Sequence, residues 1–192
     1  MNIPEERKLI ARAAIGAFGG TMKVVNYLDD SNSESIDILS SCHSPAIGLT
    51  SFSTVGLSEH NIGFEADNLP LCIELVASCA AEFSLFPNIL ATCAFNIINS
   101  NYTCYPGAVF PDVIKMYYPD KAMRHLLFIS PILWDGKLKT LDLSEKKVAW
   151  LLGIPISDNE FAYAKKKGTE ALEALLEKRD IDMFDLDRLS VL

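Results

Sequence analysis

Three histidines (His43, His60 and His125) and five cysteines (Cys42, Cys72, Cys79, Cys93 and Cys104) are the residues best suited to nucleophilic, acid–base or metal chemistry. Cys42 and His43 adjoin, and Ser58, Glu59 and His60 are consecutive. Neither run is a catalytic constellation by itself. Triad members meet across a fold, and neighbours along a strand point to opposite faces. A zinc site drawn from His43, His60 and some of Cys42, Cys72 or Cys79 lacks the short ligand spacings typical of such sites. Gly16, Gly19 and Gly20 close a helix, whereas dinucleotide and phosphate loops open one. No G-x-S-x-G occurs. The expectation is a protein without enzymatic activity, metal or cofactor. A hydrolase or metalloprotein using His43 and His60 is kept as an alternative.

The carboxylates say more. Between Val24 and Ile114 there is no lysine or arginine, yet ten acids fall there: Asp29, Asp30, Glu34, Asp37, Glu59, Glu65, Asp67, Glu74, Glu82 and Asp112. All 17 basic residues lie outside this stretch. Carboxylates without nearby cations produce a potential that steers and selects positively charged partners. Asp29, Asp30, Glu34, Asp37, Glu59, Glu65 and Asp67 are the candidate partner-binding residues. Glu74, between Ile73 and Leu75, reads as partly internal or structural. The acidic tail (Asp180, Asp182, Asp185, Asp187) is either a second surface or an extended segment packed on the sheet. Phe52, Phe64, Tyr102 and Tyr105 are candidate aromatic anchors, since buried anchors dominate such interfaces. An acidic chain, net −8, is a poor direct ligand for nucleic acid, which binds cationic surfaces. Lys165, Lys166 and Lys167 read as a solvated helix end.

The elements that must position these residues follow from local signals. Pro4, Glu5 and Glu6 open a helix over 4–18 that Gly19 and Gly20 close. Strand-like runs cover 23–28, 35–40, 49–54, 61–65 and 71–77. Asp29 to Ser33 is turn chemistry, which predicts a hairpin between the first two. Phe86, Ile89, Leu90, Cys93, Ala94, Ile97 and Ile98 recur at helical spacing over 86–99, which makes Cys93 a small core residue. The stretch 102–111 is irregular. Strands are expected at 124–129, 137–143 and 146–154. Ser157 to Glu160 is a capping box for a helix to Lys167, and Thr169 is placed to cap another to Arg179. The sum is an α+β fold: a single domain over 1–192, with a largely antiparallel sheet packed by three or four helices.

At 192 residues and 49% apolar composition, the chain buries a core without disulfide or metal staples. Five cysteines, odd in number and without C-x-x-C pairing, argue against a secreted disulfide framework. The first residues lack a signal peptide's basic and apolar regions, and no apolar run is long enough for a bilayer. A cytoplasmic, soluble protein is expected, with no membrane partner.

Several runs together resemble the suppressor-of-fused domain family, in its short bacterial branch. They are Ser53-Thr54-Val55-Gly56-Leu57-Ser58, Phe86-Pro87-Asn88-Ile89-Leu90, and Trp150-Leu151-Leu152-Gly153-Ile154-Pro155-Ile156, followed by Glu160, Gly168 and Leu172. The ending from Asp182 to Leu192 resembles the same branch. The likeness runs from about residue 35 to 192. It implies a non-enzymatic immunity protein, or antitoxin, of the kind that binds the nuclease domain of an LXG polymorphic toxin, an RNase or DNase. The implied partner is therefore a basic nuclease domain, blocked sterically and electrostatically. Eukaryotic members hold transcription factors through a groove that needs a second lobe. This chain is too short to contain that lobe, so the peptide-clamp mechanism is not carried over. An intracellular adaptor binding a regulatory protein is the other alternative.

Overall fold

Glu5 and Glu6 face the positive end of α1 (Glu5–Phe18), and Ile10, Ala14 and Ala17 form its buried stripe. Gly19, at positive φ, donates its amide to Ile15 and closes the helix. The computed structural model describes residues 4–100 and 102–192. β1 (Thr21–Leu28) and β2 (Ser35–Cys42) form the expected antiparallel hairpin. β3 (Leu49–Val55) leads into a 3₁₀ turn at Leu57–Glu59, then β4 (Phe64–Ala66) and β5 (Leu69–Ala80). α2 (Phe86–Ser100), β6 (Val109–Phe110), β7 (Met123–Ile129) and β8 (Leu141–Asp142) come next. β9 (Lys147–Ser157), α3 (Asp158–Lys167) and α4 (Thr169–Lys178) follow.

The strands make one sheet in the order β1-β2-β3-β5-β9-β7-β6, with β4 beside β5 and β8 beside β9. Every pairing is antiparallel except β5 with β9. This is the expected α+β domain, with four α-helices among the described residues. α2 covers one face over Ile38, Phe52, Leu75 and Phe128. α1, α3 and α4 cover the other, over Leu39, Val76, Leu152 and Ile154. Burial on both faces explains why β5 and β9 are nearly continuous apolar runs. Gly153 on β9 is required by crowding: a Cβ there would lie 2.7 Å from Leu126 on β7.

Several expectations are corrected. The strand expected at 137–143 shrinks to Leu141–Asp142, because Trp134 and Asp135 take positive φ and form a 3₁₀ turn. The run 61–65 begins as an Asx turn, with Asn61 Oδ1 accepting from Gly63 N, so the strand starts only at Phe64. The irregular stretch contains β6, short enough to evade any period. Thr169 does not cap α4; Gly168 occupies the cap position and Thr169 is the first helical residue. The acidic tail is a packed strap: the Phe184 carbonyl accepts from Ala80 N and the Leu186 carbonyl from Met123 N.

Candidate partner-binding surface

The topology gathers the seven candidate acids at one end of the sheet. Asp29, Asp30 and Glu34 sit in the β1–β2 turn, and Asp37 faces Val55 near the end of β3. Glu59 ends the 3₁₀ turn after β3, Glu65 lies on β4, and Asp67 follows it at positive φ in the turn into β5. β5 and β9 run parallel and both begin at this end.

The same topology brings in cations, which corrects the expectation of an unneutralised face. Arg7 on α1 reaches Glu59 through two nitrogens, at 2.6 and 2.7 Å, and Asp37 at 3.4 Å. The Arg7 guanidinium holds the Glu59 carboxyl below its ordinary pKa. Lys147, at the start of β9, pairs with Asp67 at 2.8 Å and lowers its pKa likewise. Lys146 takes Glu6 at 2.8 Å. Asp29 is only 8% exposed and is spent on the turn. It accepts from the backbone of Glu34 and Ser33, the hydroxyls of Ser31 and Ser33, and the Asn99 amide. The Glu34 amide foremost, with the other donors, brings its pKa to about 2. Asp30, Glu34 and Glu65 have no cation within ion-pair distance among the described residues.

Glu74 is fully buried on the α1 side of the sheet, as its apolar neighbours suggest. Its carboxylate accepts from the Thr54 hydroxyl, the Gly56 and Ser58 amides and the Ser58 hydroxyl, at 2.5 to 3.1 Å. Gly56 stands at φ +111°, and a Cβ there would meet the Arg7 guanidinium at 3.0 Å. The STVGLS run is thus a cradle for a buried carboxylate, with Arg7 lying on its glycine.

Among the candidate anchors, Phe52 is buried in the core against Phe86. Phe64, Tyr102 and Tyr105 are exposed. Phe64 and Tyr105 meet edge-on, with ring centroids 6.3 Å apart. They flank a groove of about 360 Å³ with Ile62, Leu71 and Leu151, whose one charged lining residue is Glu65.

The histidine alternative does not survive the topology. His43 follows β2 and His60 follows the turn after β3, so they lie at opposite ends of β3. Seven strand residues separate them by roughly 20 Å. Cys79, Cys93 and Cys104 are buried, and burial raises each thiol's pKa, that of Cys104 to about 12. A further group, invisible in the residue spacing, is Asp112, His125 and Asp158, whose ligand atoms lie within 4.8 Å of one another. Both ring nitrogens of His125 are engaged: Nδ1 accepts from the Asp112 amide and Nε2 meets Asp158 Oδ1, each at 2.9 Å. Nε2 therefore carries the ring proton and donates to Asp158, a carboxylate that also holds Arg124. The ring ties the loop at Asp112 to the first turn of α3.

The sheet and its helical cover are those of a suppressor-of-fused domain. Residues 32–189 match the family model described as Suppressor of fused protein (SUFU), and the chain belongs to that family. It is 48% identical over 191 residues to Immunity protein YqcF of Bacillus subtilis (strain 168), covering 100% of both chains. Its fold is similar to that of a putative SUFU homolog from Neisseria gonorrhoeae FA 1090, with TM-score 0.78, 14% identity and coverage of 98% and 97%. A chain of the Sufu–Fu complex gives TM-score 0.63 at 14% identity, covering 97% of this chain and 92% of that one. At that identity, the solved structures speak for the fold alone. No helix among the described residues is long and apolar enough to cross a membrane.

Proposed function

We propose that this chain is an immunity protein that binds a cognate LXG-type toxin in the cytoplasm and blocks its nuclease domain. The observation that carries the reading is the 48% identity, over the full length of both chains, to a protein named as an immunity protein. The acidic end of the sheet supplies a physical means. A nuclease cleft is basic because its substrate is polyanionic, and an anionic surface can occupy it in the substrate's place.

The seven acids divide by role in this reading. Asp30, Glu34 and Glu65 are the carboxylates free to meet toxin cations. Glu59 and Asp67, already paired with Arg7 and Lys147, extend the anionic rim, while Asp29 and Asp37 hold the hairpin that carries it. The groove between Phe64 and Tyr105 offers a desolvated anchor point beside Glu65. Charge speeds encounter, and the apolar contact slows release.

Purified protein mixed with the nuclease domain of a candidate cognate LXG toxin tests the proposal. Stoichiometric complex formation with loss of nucleic-acid cleavage is expected. Cleavage that continues with this protein in excess would refute it. An association rate that does not change with ionic strength would refute the electrostatic part alone.

A further inference from the structure

The two edges of the sheet are built differently. β6, at one edge, has two residues, follows Pro106 and Gly107, and is cut off by Pro111. Short, proline-flanked edges resist pairing with other chains. β1, at the other, runs for eight residues with no proline, no break in register with β2, and one charged residue, Lys23.

The backbone of β1 has a defined outward set. Asp29 N donates to Glu34 O in the β1–β2 register, so that pair is hydrogen-bonded. Antiparallel alternation then turns Thr21, Lys23, Val25 and Tyr27 toward β2 and leaves Met22, Val24, Asn26 and Leu28 facing outward. Among the described residues, no strand meets them. α1 packs chiefly on β2 and β3, and α2 on β2, β3 and β5. Val24 and Leu28 consequently stay 56% exposed each.

We propose that β1 pairs antiparallel with β1 of a second copy of this chain, about a two-fold axis at Val25. One two-fold register alone maps the four outward residues onto themselves. It sets Met22 opposite Leu28 and Val24 opposite Asn26, so every outward amide and carbonyl of the strand gains a partner. On the other face, it sets Lys23 across from Tyr27 of the second copy and Val25 against its own counterpart. Met22 meets Leu28 and Val25 meets its own counterpart, Val24 lies across from the uncharged Asn26, the one cation meets an aromatic ring, and no like charges face one another. That self-complementarity selects a second copy over an unrelated strand. Asp30 and Glu34 lie beyond the paired stretch, so the acidic end stays open and the dimer does not depend on the toxin-binding reading. An interface of one strand per copy is small, and the dimer forms at high concentration and dissociates on dilution.

Sedimentation velocity over a dilution series reads this directly. The expected result is a shift from the 21.2 kDa monomer toward twice that mass as concentration rises. Val24→Pro removes an outward N–H and leaves the ladder to β2 untouched, a placement proline tolerates on an edge strand. It should abolish the dimer with an unchanged far-UV spectrum. If it fails to fold, Val24→Lys places like charges beside the axis and should weaken association roughly tenfold. In a Cys42→Ser background, Val25→Cys should crosslink two copies under mild oxidation much faster than Lys23→Cys does. A wild type that stays monomeric at every concentration overturns the proposal. So does a dimer indifferent to both Val24 substitutions, or equal crosslinking at positions 23 and 25.

Discussion

Glu74 and Glu160 are both fully buried carboxylates, one in the lysine-free half of the chain and one outside it. Burial raises the pKa of Glu74, and four hydrogen-bond donors do not reverse that. Burial pushes Glu160 up as well, but Arg188 grips both its oxygens at 2.8 Å and the Ser157 and Val191 amides add to it. Its pKa ends below the ordinary value. Neutral dipoles satisfy a buried anion's hydrogen bonds, whereas a matched cation also restores its charge balance. The lysine-free stretch has no such cation of its own, and Arg7, from α1, lies on Gly56 rather than in contact with the Glu74 oxygens.

Breaking the Arg188–Glu160 pair gives the largest expected loss. Either Glu160→Gln or Arg188→Leu leaves a partner charge buried and uncompensated, at a cost of about 3–5 kcal/mol. Urea unfolding midpoints measure it. Replacing both with leucine should recover much of the loss, since apolar pairs of similar volume substitute well for buried ion pairs. Recovery stops short of wild type because Glu160 also closes the capping box with Ser157. A double variant no better than the singles would mean that the pair organises the strap by geometry, not charge.

Glu74→Gln should cost about 1 kcal/mol or less. The amide oxygen can keep the Gly56 and Ser58 donors, and its NH₂ can donate to the Thr54 hydroxyl. A loss equal to that of Glu160→Gln would erase the contrast between the two sites.

Acid and base should separate the two sites in opposite directions. Glu160 has a lowered folded pKa, so its contribution is present above the unfolded value of about 4.3 and is lost as pH falls through the folded one. Glu74 has a raised folded pKa, so its contribution is present below that unfolded value and is lost as pH rises through the folded one. The deficit of Glu160→Gln relative to wild type should therefore shrink on acidification, while that of Glu74→Gln grows. Unfolding midpoints of the three proteins across acidic pH check the sign.

What the sequence discloses about these sites follows contact range. The capping box of Ser157 and Glu160 was legible because both halves lie within one turn, and the structure forms both of its hydrogen bonds. Arg188 was not, since it returns 28 residues later on an irregular strap. Glu74 was legible as internal from its apolar flanks, but its cradle comes from residues 16 to 20 positions away. The helices were found through caps and periodicity. The strand expected at 137–143 misled because Leu138 is buried without pairing: its neighbour Lys139 offers a carbonyl to the Trp150 indole instead. The gathering of the acids was visible as a charge gap in the chain. The cations that enter were not, for Arg7 and Glu59 stand 52 positions apart.

The smallest effect on stability, and the sharpest test of the division among surface acids, comes from Asp30, Glu34 and Glu65. With no cation partner among the described residues, their neutralisation to Asp30→Asn, Glu34→Gln and Glu65→Gln should leave the unfolding midpoint unmoved, since isolated surface charges contribute little. If these carboxylates are the ones a toxin meets, the triple variant should associate more slowly and lose much of its salt dependence, because steering acts on encounter. Glu59→Gln behaves differently: it releases Arg7 and should lower the midpoint while changing the association rate less. Stopped-flow association at low and high salt, beside urea midpoints for the same proteins, separates the two. Should Glu59→Gln slow association and the triple variant leave it unchanged, the acids that meet the toxin are those the fold already uses, and Arg7 must be displaced on binding.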